Sequence, residues 1–185
     1  VGSDSPFPTD PENLIVGPPT DNGVGTVLLQ GPTYIASVSD RGAVDWVKYP
    51  SCGAVDLDSV HLLTGDLNGD GRDEIIAYSR GHLHCLRANG SRLWSRTDFT
   101  RVSGITVERL NGAPRDSLFI THTSGLEILD GSGRTVFYRE GVAGSVELDD
   151  ADGDGFPELL YCESGTIHCF SLPAAVRARV LSIGR

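Results

Sequence analysis

The sequence predicts an all-β protein, organised as a β-propeller of about four four-stranded blades. Three observations support this prediction. Short apolar runs alternate with turns, and glycine is frequent at 23 of 185 residues, while no long stretch follows a helical period. Similar blocks of sequence also recur about every 42 residues, and this period with four strands per block is typical of a propeller blade.

The first block matches the repeat most loosely. Its apolar runs predict strands at 14–16, 26–29, 34–38 and 44–47. Segment 40–46 closes this block and matches segment 88–94, which closes the next, since both contain a turn glycine followed four residues later by tryptophan. Radial packing of such blocks would cover strand edges that otherwise invite aggregation.

The other three blocks share a stronger signature. In each, an apolar run precedes a polar loop, and three apolar runs follow it; the loops begin at Asp66, Arg109 and Asp150, at spacings of 43 and 41 residues. The pattern predicts strands at 61–63, 74–78, 82–86, 91–94, 105–107, 117–121, 126–129, 135–138, 146–148, 158–162, 166–170 and 176–181.

The chain therefore divides into an extended, proline-rich N-terminal arm, residues 1–20, and the repeats, residues 21–185. The blocks span about 14–50, 58–99, 102–140 and 143–185, so the apolar patch at 14–16 overlaps the arm. That patch is expected either as a strapped-down tail or as an edge strand, of its own sheet or of a neighbour's. Four blocks would close a small ring; the alternative is a segment or open array of a larger propeller.

Two loops carry oxygen side chains at positions one, three, five and nine. A glycine stands at position six, and position seven offers a backbone carbonyl, from Arg72 or Phe156. A hard cation takes six to eight such oxygens at about 2.3–2.6 Å. Position twelve, where an EF-hand needs glutamate, is Ala77 or Tyr161, so each loop is predicted to join two strands. The side chains at the four positions are Asp66, Asn68, Asp70 and Glu74 in one loop and Asp150, Asp152, Asp154 and Glu158 in the other.

These loops, their place between the first two strands, and the period resemble the FG-GAP/VCBS calcium-binding repeats. Such repeats form integrin α-subunit propellers and occur in many secreted or surface-anchored proteins. The resemblance implies two calcium ions, held by the side chains and carbonyls named above. The third block departs from the pattern, because Arg109, Ala113 and Ser117 replace acidic positions. No calcium is expected there, and the Arg109 guanidinium is a candidate to take the place of the cation.

The four cysteines allow three pairings. Cys162 and Cys169 flank a turn predicted at Gly165-Thr166, and a two-residue turn would set them opposite each other; Cys52 would then pair with Cys85. The alternative is buried free thiols, which are common in protein cores. Asn89 starts an N-glycosylation triplet on a predicted turn.

Composition limits the classes of partner. A net charge of −10 and an isoelectric point near 4.8 argue against nucleic acid. No apolar run approaches the 18 residues of a membrane span. The start at Val1 and the lack of methionine suggest a processed or excised product, and we expect an extracellular or cell-surface location.

The sequence thus favours a non-enzymatic calcium-binding module that acts in adhesion, in ligand binding or as a structural subunit of a surface or filamentous assembly. The expected partner is a protein or carbohydrate ligand at the cell surface, with self-assembly through the N-terminal arm as a further expectation. The alternative is a carbohydrate-active enzyme, because similar calcium-bearing propellers include some polysaccharide lyases. A lyase would need a base and a charge-neutralising group over one face.

Overall fold

The computed structural model describes residues 7, 11–19, 23, 25–32, 34–48, 60–79, 81–110, 113–174 and 176. Within these ranges the protein is all-β, as predicted, and four antiparallel sheets follow one another along the chain. No helix within the described part of the chain is long and apolar enough to cross a membrane.

Each sheet is a meander in which every strand pairs with the next one in sequence. The first sheet contains β1 (Asn13–Gly17), β2 (Thr26–Gln30), β3 (Ile35–Ser39) and β4 (Val44–Lys48). The second contains β5 (His61–Gly65), β6 (Glu74–Ser79), β7 (His82–Leu86) and β8 (Arg92–Arg96). The third contains β9 (Gly104–Glu108), β10 (Ser117–His122), β11 (Gly125–Leu129) and β12 (Thr135–Glu140). The fourth contains β13 (Val146–Asp149), β14 (Glu158–Glu163) and β15 (Thr166–Ser171).

The strand predictions for the first three sheets are confirmed to within about two residues at each end. The apolar patch at 14–16 is the centre of β1, which pairs with β2 of its own sheet, so this part of the predicted arm belongs to the fold. Of the predicted final strand at 176–181, only Val176 is described. Its N–H donates to the Pro173 carbonyl at 2.8 Å in a helical turn, so the strand prediction is wrong at this residue.

Consecutive sheets pack face to face, and the central strand β6 shows how. Its alternate side chains point to opposite faces. Ile75 and Ala77 join the clusters that pack against the first sheet, whereas Ile76 and Tyr78 join the cluster shared with the third. Because both faces of β6 are covered, all six of its residues are buried. A nearly continuous apolar run, with no alternation, is what a doubly covered strand requires.

The third sheet is enclosed in the same way. In β10, Leu118 and Ile120 face the second sheet, while Phe119 packs in a cluster with Leu159 and Tyr161 of the fourth. The first strands of the last three sheets also lie side by side, since β9 contacts both β5 and β13. Three successive sheet-on-sheet interfaces therefore form the core of the described structure.

Two tryptophans join the first sheet to the second and the second sheet to the third. Trp46 Nε1 donates to the Ala88 carbonyl at 2.8 Å, and Trp94 Nε1 donates to the Gly131 carbonyl at 2.9 Å. Each indole also covers a turn glycine with positive φ: an added Cβ at Gly90 would lie 2.8 Å from Trp46, and one at Gly133 would lie 2.7 Å from Trp94. The similar segment endings seen in the sequence are thus inter-sheet contacts.

The predicted register of the last hairpin is wrong. The turn falls at Ser164-Gly165, one residue earlier than expected, so Cys162 pairs with Ile167 and Cys169 pairs with Leu160. The two cysteines are diagonal neighbours, about 7–8 Å apart in such a sheet, which exceeds the usual Cα span of a disulfide. Cys162 and Cys169 are exposed free thiols. Cys85 is a buried free thiol, and Cys52 lies outside the described residues.

Candidate metal centres

The two acidic loops occupy equivalent places, as predicted: one joins β5 to β6 and the other joins β13 to β14. Each pair of strands forms an antiparallel hairpin that starts and ends at the loop. The glycines at position six, Gly71 and Gly155, have φ values of 81° and 86°. Only glycine adopts this conformation without strain, and it turns the loop back on the side chain at position one.

In the first loop, the carboxylate of Asp66 organises the backbone. It is 5 % exposed and accepts N–H groups from Gly69 at 2.7 Å, from Asp70 at 3.1 Å and from Gly71 at 3.1 Å. The loop is therefore wrapped around a buried side chain that accepts several backbone N–H groups.

Glu74, at position nine, closes the same loop. Its side chain is 2 % exposed; it accepts the N–H of Leu67 at 3.0 Å and that of Asn68 at 3.1 Å, and the Asn68 side-chain amide donates to it at 2.6 Å. Burial raises the pKa of Glu74 to about 7; the Asn68 N–H opposes this rise, and the charge of Asp70 adds to it. A bound cation would favour the ionised form at this position.

The third sheet supports the first loop from the side. Asp116 accepts the N–H of Asp66 at 2.8 Å and holds Arg109 Nε at 2.7 Å. Arg109 Nη2 also lies 3.5 Å from the Asp66 carboxylate. The guanidinium predicted to replace a cation in its own block thus bridges two neighbouring loops. Burial and the charges of Asp116 and Asp66 raise the pKa of Asp73, which lies beside this bridge.

The second loop repeats the backbone pattern in a more open setting. Asp150 accepts N–H groups from Gly153 at 2.8 Å and Gly155 at 3.0 Å, but it is exposed. Glu158 is 3 % exposed and accepts the Ala151 N–H at 3.1 Å and the Ser171 hydroxyl at 3.2 Å. The acidic motif is therefore held together from within its own sheet.

Three carboxylates of the second loop converge on one point. Each of Asp150, Asp152 and Glu158 offers an oxygen, and these oxygens lie within 4.8 Å of one another. Two oxygens bound to one calcium ion lie at most about 5 Å apart, given bonds of about 2.3–2.6 Å. The donor set is also all oxygen, as a hard cation requires. Both the spacing and the chemistry fit calcium.

The carboxylates at position five have a different contact. Asp70 accepts the Arg72 N–H at 2.9 Å, and Asp154 accepts the Phe156 N–H at 2.8 Å. Asp154 lies outside the convergent group, and among the described residues the carboxylates of the first loop, Asp66, Asp70 and Glu74, do not form such a group. In the first loop, Asn68 donates its amide to both Asp70 and Glu74, so this amide links the carboxylates of that loop.

The remaining predicted positions fall in distinct places. Ser117, at position nine of the third block, is buried, and Ala113 is buried at position five. Asn89 is exposed on the turn between β7 and β8, where its side chain accepts the Ser91 N–H at 2.9 Å. Residues 21, 22, 111 and 112 lie outside the described ranges.

Sequence reasoning missed a polar network between the second and third sheets. Glu127 lies 3.2 Å from Arg96 and 3.3 Å from His122, and it accepts the Thr135 hydroxyl at 2.7 Å. Arg96 also pairs with Asp98. Nothing local marks these residues, because they come from four separate segments that only the packing of two sheets brings together.

Comparisons with known proteins find a similar fold but no matching family. No protein-family model matches the chain, and no curated protein matches it. The fold resembles the crystal structure of the V. cholerae biofilm matrix protein Bap1, with a TM-score of 0.58 and 19 % identity over 80 % of this chain. The match spans 28 % of Bap1. The FG-GAP/VCBS resemblance therefore depends on the loops and on the repeat.

A second solved structure, of a protein of unknown function from Bacteroides caccae, matches with a TM-score of 0.42 and 13 % identity. It covers 87 % of this chain and 61 % of that one. This similarity is too weak to support an argument.

The likeness to Bap1 is a likeness of fold, and the fold of this chain is a series of successive antiparallel sheets.

Proposed function

We propose that the chain is a calcium-binding module of the propeller type, in which calcium fixes the loops at one end of two sheets. The observation that carries this proposal is the convergence of Asp150, Asp152 and Glu158 within 4.8 Å, in a loop whose spacing recurs at the same place in the second sheet. Calcium would neutralise carboxylates that otherwise repel each other.

The role we assign to calcium is structural. Both loops begin and end on strands that belong to the core, so a bound ion would couple the loop to the sheet. An ion that binds only the folded chain adds its binding free energy to folding. Extracellular modules with weak sites are well occupied because calcium outside cells is near millimolar.

We further propose an extracellular or surface role in adhesion, in binding a protein or carbohydrate ligand, or in a structural assembly. The similarity to a protein described as a biofilm matrix component supports this proposal at the level of the fold. The propeller arrangement has its own support in the three sheet-on-sheet interfaces and in the neighbouring first strands β5, β9 and β13.

The lyase alternative gains no specific support from the polar network at Glu127. Its carboxylate is already engaged by Arg96 and Thr135, so it serves the contact between two sheets. An absorbance assay for unsaturated products from acidic polysaccharides tests this alternative directly. Product formation at a rate that depends on enzyme concentration would overturn the non-enzymatic proposal.

Native mass spectrometry with and without calcium tests the metal proposal. We expect two bound ions in the wild-type chain and one in Asp150→Asn, since that change removes a charged ligand from a single loop. Asp130→Asn is the matched control: Asp130 caps a turn in the same manner but lies outside both loops, and this variant should bind two ions. A wild-type mass without bound calcium would falsify the proposal.

A further inference from the structure

The polar network between the second and third sheets has a counterpart set of positions between the first and second sheets. On strand β4, Trp46 and Lys48 face the second sheet. On strand β8, Trp94 and Arg96 face the third sheet in the same way. The strand registers align the remaining positions in pairs: His84 with Glu127, Ser79 with His122, and Arg92 with Thr135. The two contacts can therefore be compared position by position.

Between the second and third sheets, a carboxylate occupies the centre of the contact. Glu127 lies 3.2 Å from Arg96 of the second sheet and 3.3 Å from His122 Nε2 of its own sheet. It also accepts the Thr135 hydroxyl at 2.7 Å. Side chains at these four positions thus reach one common point, and a negative charge stands at that point.

Between the first and second sheets, the position of that carboxylate is taken by His84, and polar atoms are left unpaired. Within the described part of the chain, His84 Nε2 and Ser79 Oγ are buried, and neither has a hydrogen-bond partner. Ser79 is 3 % exposed. Burial lowers the pKa of His84, and the positive charges of His82 and Arg92 add to this effect. Because unpaired buried polar atoms cost stability, we expect a partner from solution at this place.

The charges around these atoms indicate that the partner is an anion. Lys48 and Arg92 are both exposed at the edge of the contact. They also approach each other, because a Cβ added at Gly90, two residues before Arg92, would lie 3.1 Å from Lys48 Cε. The Asp45 carboxylate of strand β4 accepts the Ser37 hydroxyl at 3.4 Å. Ammonium, guanidinium, hydroxyl and imidazole groups can all donate to one oxyanion.

We propose that the carboxylate group of a small acid binds between the first and second sheets, at the position that the Glu127 carboxylate occupies between the second and third. The ligand accepts hydrogen bonds from His84 Nε2 and Ser79 Oγ, and its charge is balanced by Lys48 and Arg92. It supplies from solution the bridge that the next contact has in its own sequence. The site is separate from both acidic loops, and the proposal does not depend on calcium.

Titration with acetate tests the site, and acetamide is the control because it has a similar shape without the charge. The histidine ring resonances are followed by NMR in the full chain, with calcium in excess and ionic strength held constant. We expect acetate to shift the His84 signals saturably and acetamide to leave them unchanged. His61 stacks on Tyr78, which packs toward the third sheet, so its signals should not respond to either compound.

Three variants locate the binding site. His84→Glu supplies the carboxylate from the chain itself, so acetate should no longer raise the melting temperature as it does in the wild type. Lys48→Gln removes one balancing charge at an exposed position and should weaken acetate binding about threefold. Arg134→Gln removes a positive charge from an exposed turn of the third sheet and should bind acetate as the wild type does.

The outcomes separate a carboxylate site from its alternatives. If acetate causes no saturable shift at His84, water alone satisfies the buried atoms and the proposal is wrong. Equal shifts with acetamide also overturn it, because the site then does not recognise charge. Acetate stabilisation that persists in His84→Glu places the binding elsewhere, with the same consequence. If His84→Glu does not fold, Lys48→Gln decides the question, since an unchanged affinity in that variant overturns the proposal.

Discussion

The second and fourth sheets carry the same loop motif, but the carboxylate at position one is buried in the second sheet and exposed in the fourth. The second sheet has a neighbour on each face, and its loop is supported by Asp116 and Arg109 of the third sheet. The described part of the fourth sheet has one covered face, and its loop relies on its own strands. Consequently Asp66 is 5 % exposed, whereas the equivalent Asp150 is exposed.

The comparison indicates that contacts with a neighbouring sheet, and not the ligand spacing, set how firmly a loop is held before a cation binds. The first loop already has an internal amide and a neighbouring guanidinium beside its carboxylates. In the second loop, three carboxylates face a common point. The second loop should therefore gain more order from calcium than the first.

The largest expected effect is that of removing calcium. Chelation should lower the melting temperature, since an ion at a thousandfold excess over its dissociation constant contributes about 4 kcal/mol per site. Hydrogen exchange should rise more at 150–158 than at 66–74. Differential scanning fluorimetry and exchange with mass detection provide the two readouts.

Asp70→Ala should reduce the calcium dependence of the melting temperature, whereas Asp130→Ala should not. Equal changes in exchange at the two loops would contradict the proposed difference in rigidity.

The second effect is on metal-free stability. Asp66→Ala removes a buried charged acceptor from three backbone N–H groups and should lower the free energy of unfolding by about 3 kcal/mol. Asp150→Ala acts at an exposed position, where water can replace the carboxylate, and should cost about 1 kcal/mol or less. Urea unfolding in chelator measures both values. Similar losses would show that the third sheet does not distinguish the loops.

Thiol reactivity should differ between Cys85 of the second sheet and Cys169 of the fourth, which occupy equivalent positions. Cys85 is 0 % exposed, and burial raises its pKa to about 12, with the charge of Glu74 adding to the rise. Cys169 is exposed. Because the thiolate is the reactive form, we expect Cys169 and Cys162 to be alkylated at least about a hundredfold faster than Cys85 in the native protein. Peptide mapping assigns each site. Fast labelling of Cys85 would indicate that the second sheet opens readily, and unreactive Cys162 and Cys169 would indicate that they are covered or oxidised.

The smallest effect concerns Arg109. Its guanidinium lies 3.5 Å from Asp66 and opposes a second positive charge there. Arg109→Gln should raise the calcium affinity of the first loop by about fivefold and leave that of the second unchanged. Arg109→Lys keeps the charge and serves as the control. Calorimetric titration of variants that retain a single functional loop measures each affinity. A drop in affinity with Arg109→Gln would mean that positioning of Asp116 outweighs charge.

Local sequence was sufficient to predict the strands and the spacing of the candidate ligands. Apolar runs bounded by glycine turns determine where β6 and β10 begin, because burial on both faces requires continuous apolar side chains. The Asp-Gly turns at Asp66 and Asp150 are equally local, since each carboxylate binds backbone groups three to five residues away. These features depend on neighbours in the chain, and a single sequence displays them.

Contacts between sheets could not be predicted from local sequence. A one-residue shift of a turn moved Cys162 and Cys169 from opposed to diagonal positions, since register depends on turn geometry and on which face is buried. The bridge from Arg109 to Asp66 joins residues 43 positions apart, and the Glu127 network likewise joins side chains from separate strands. Burial of Asp66 and exposure of the equivalent Asp150 follow from which sheets have neighbours. The two motifs have the same spacing of ligands and glycines, so the ligand pattern alone does not predict this difference.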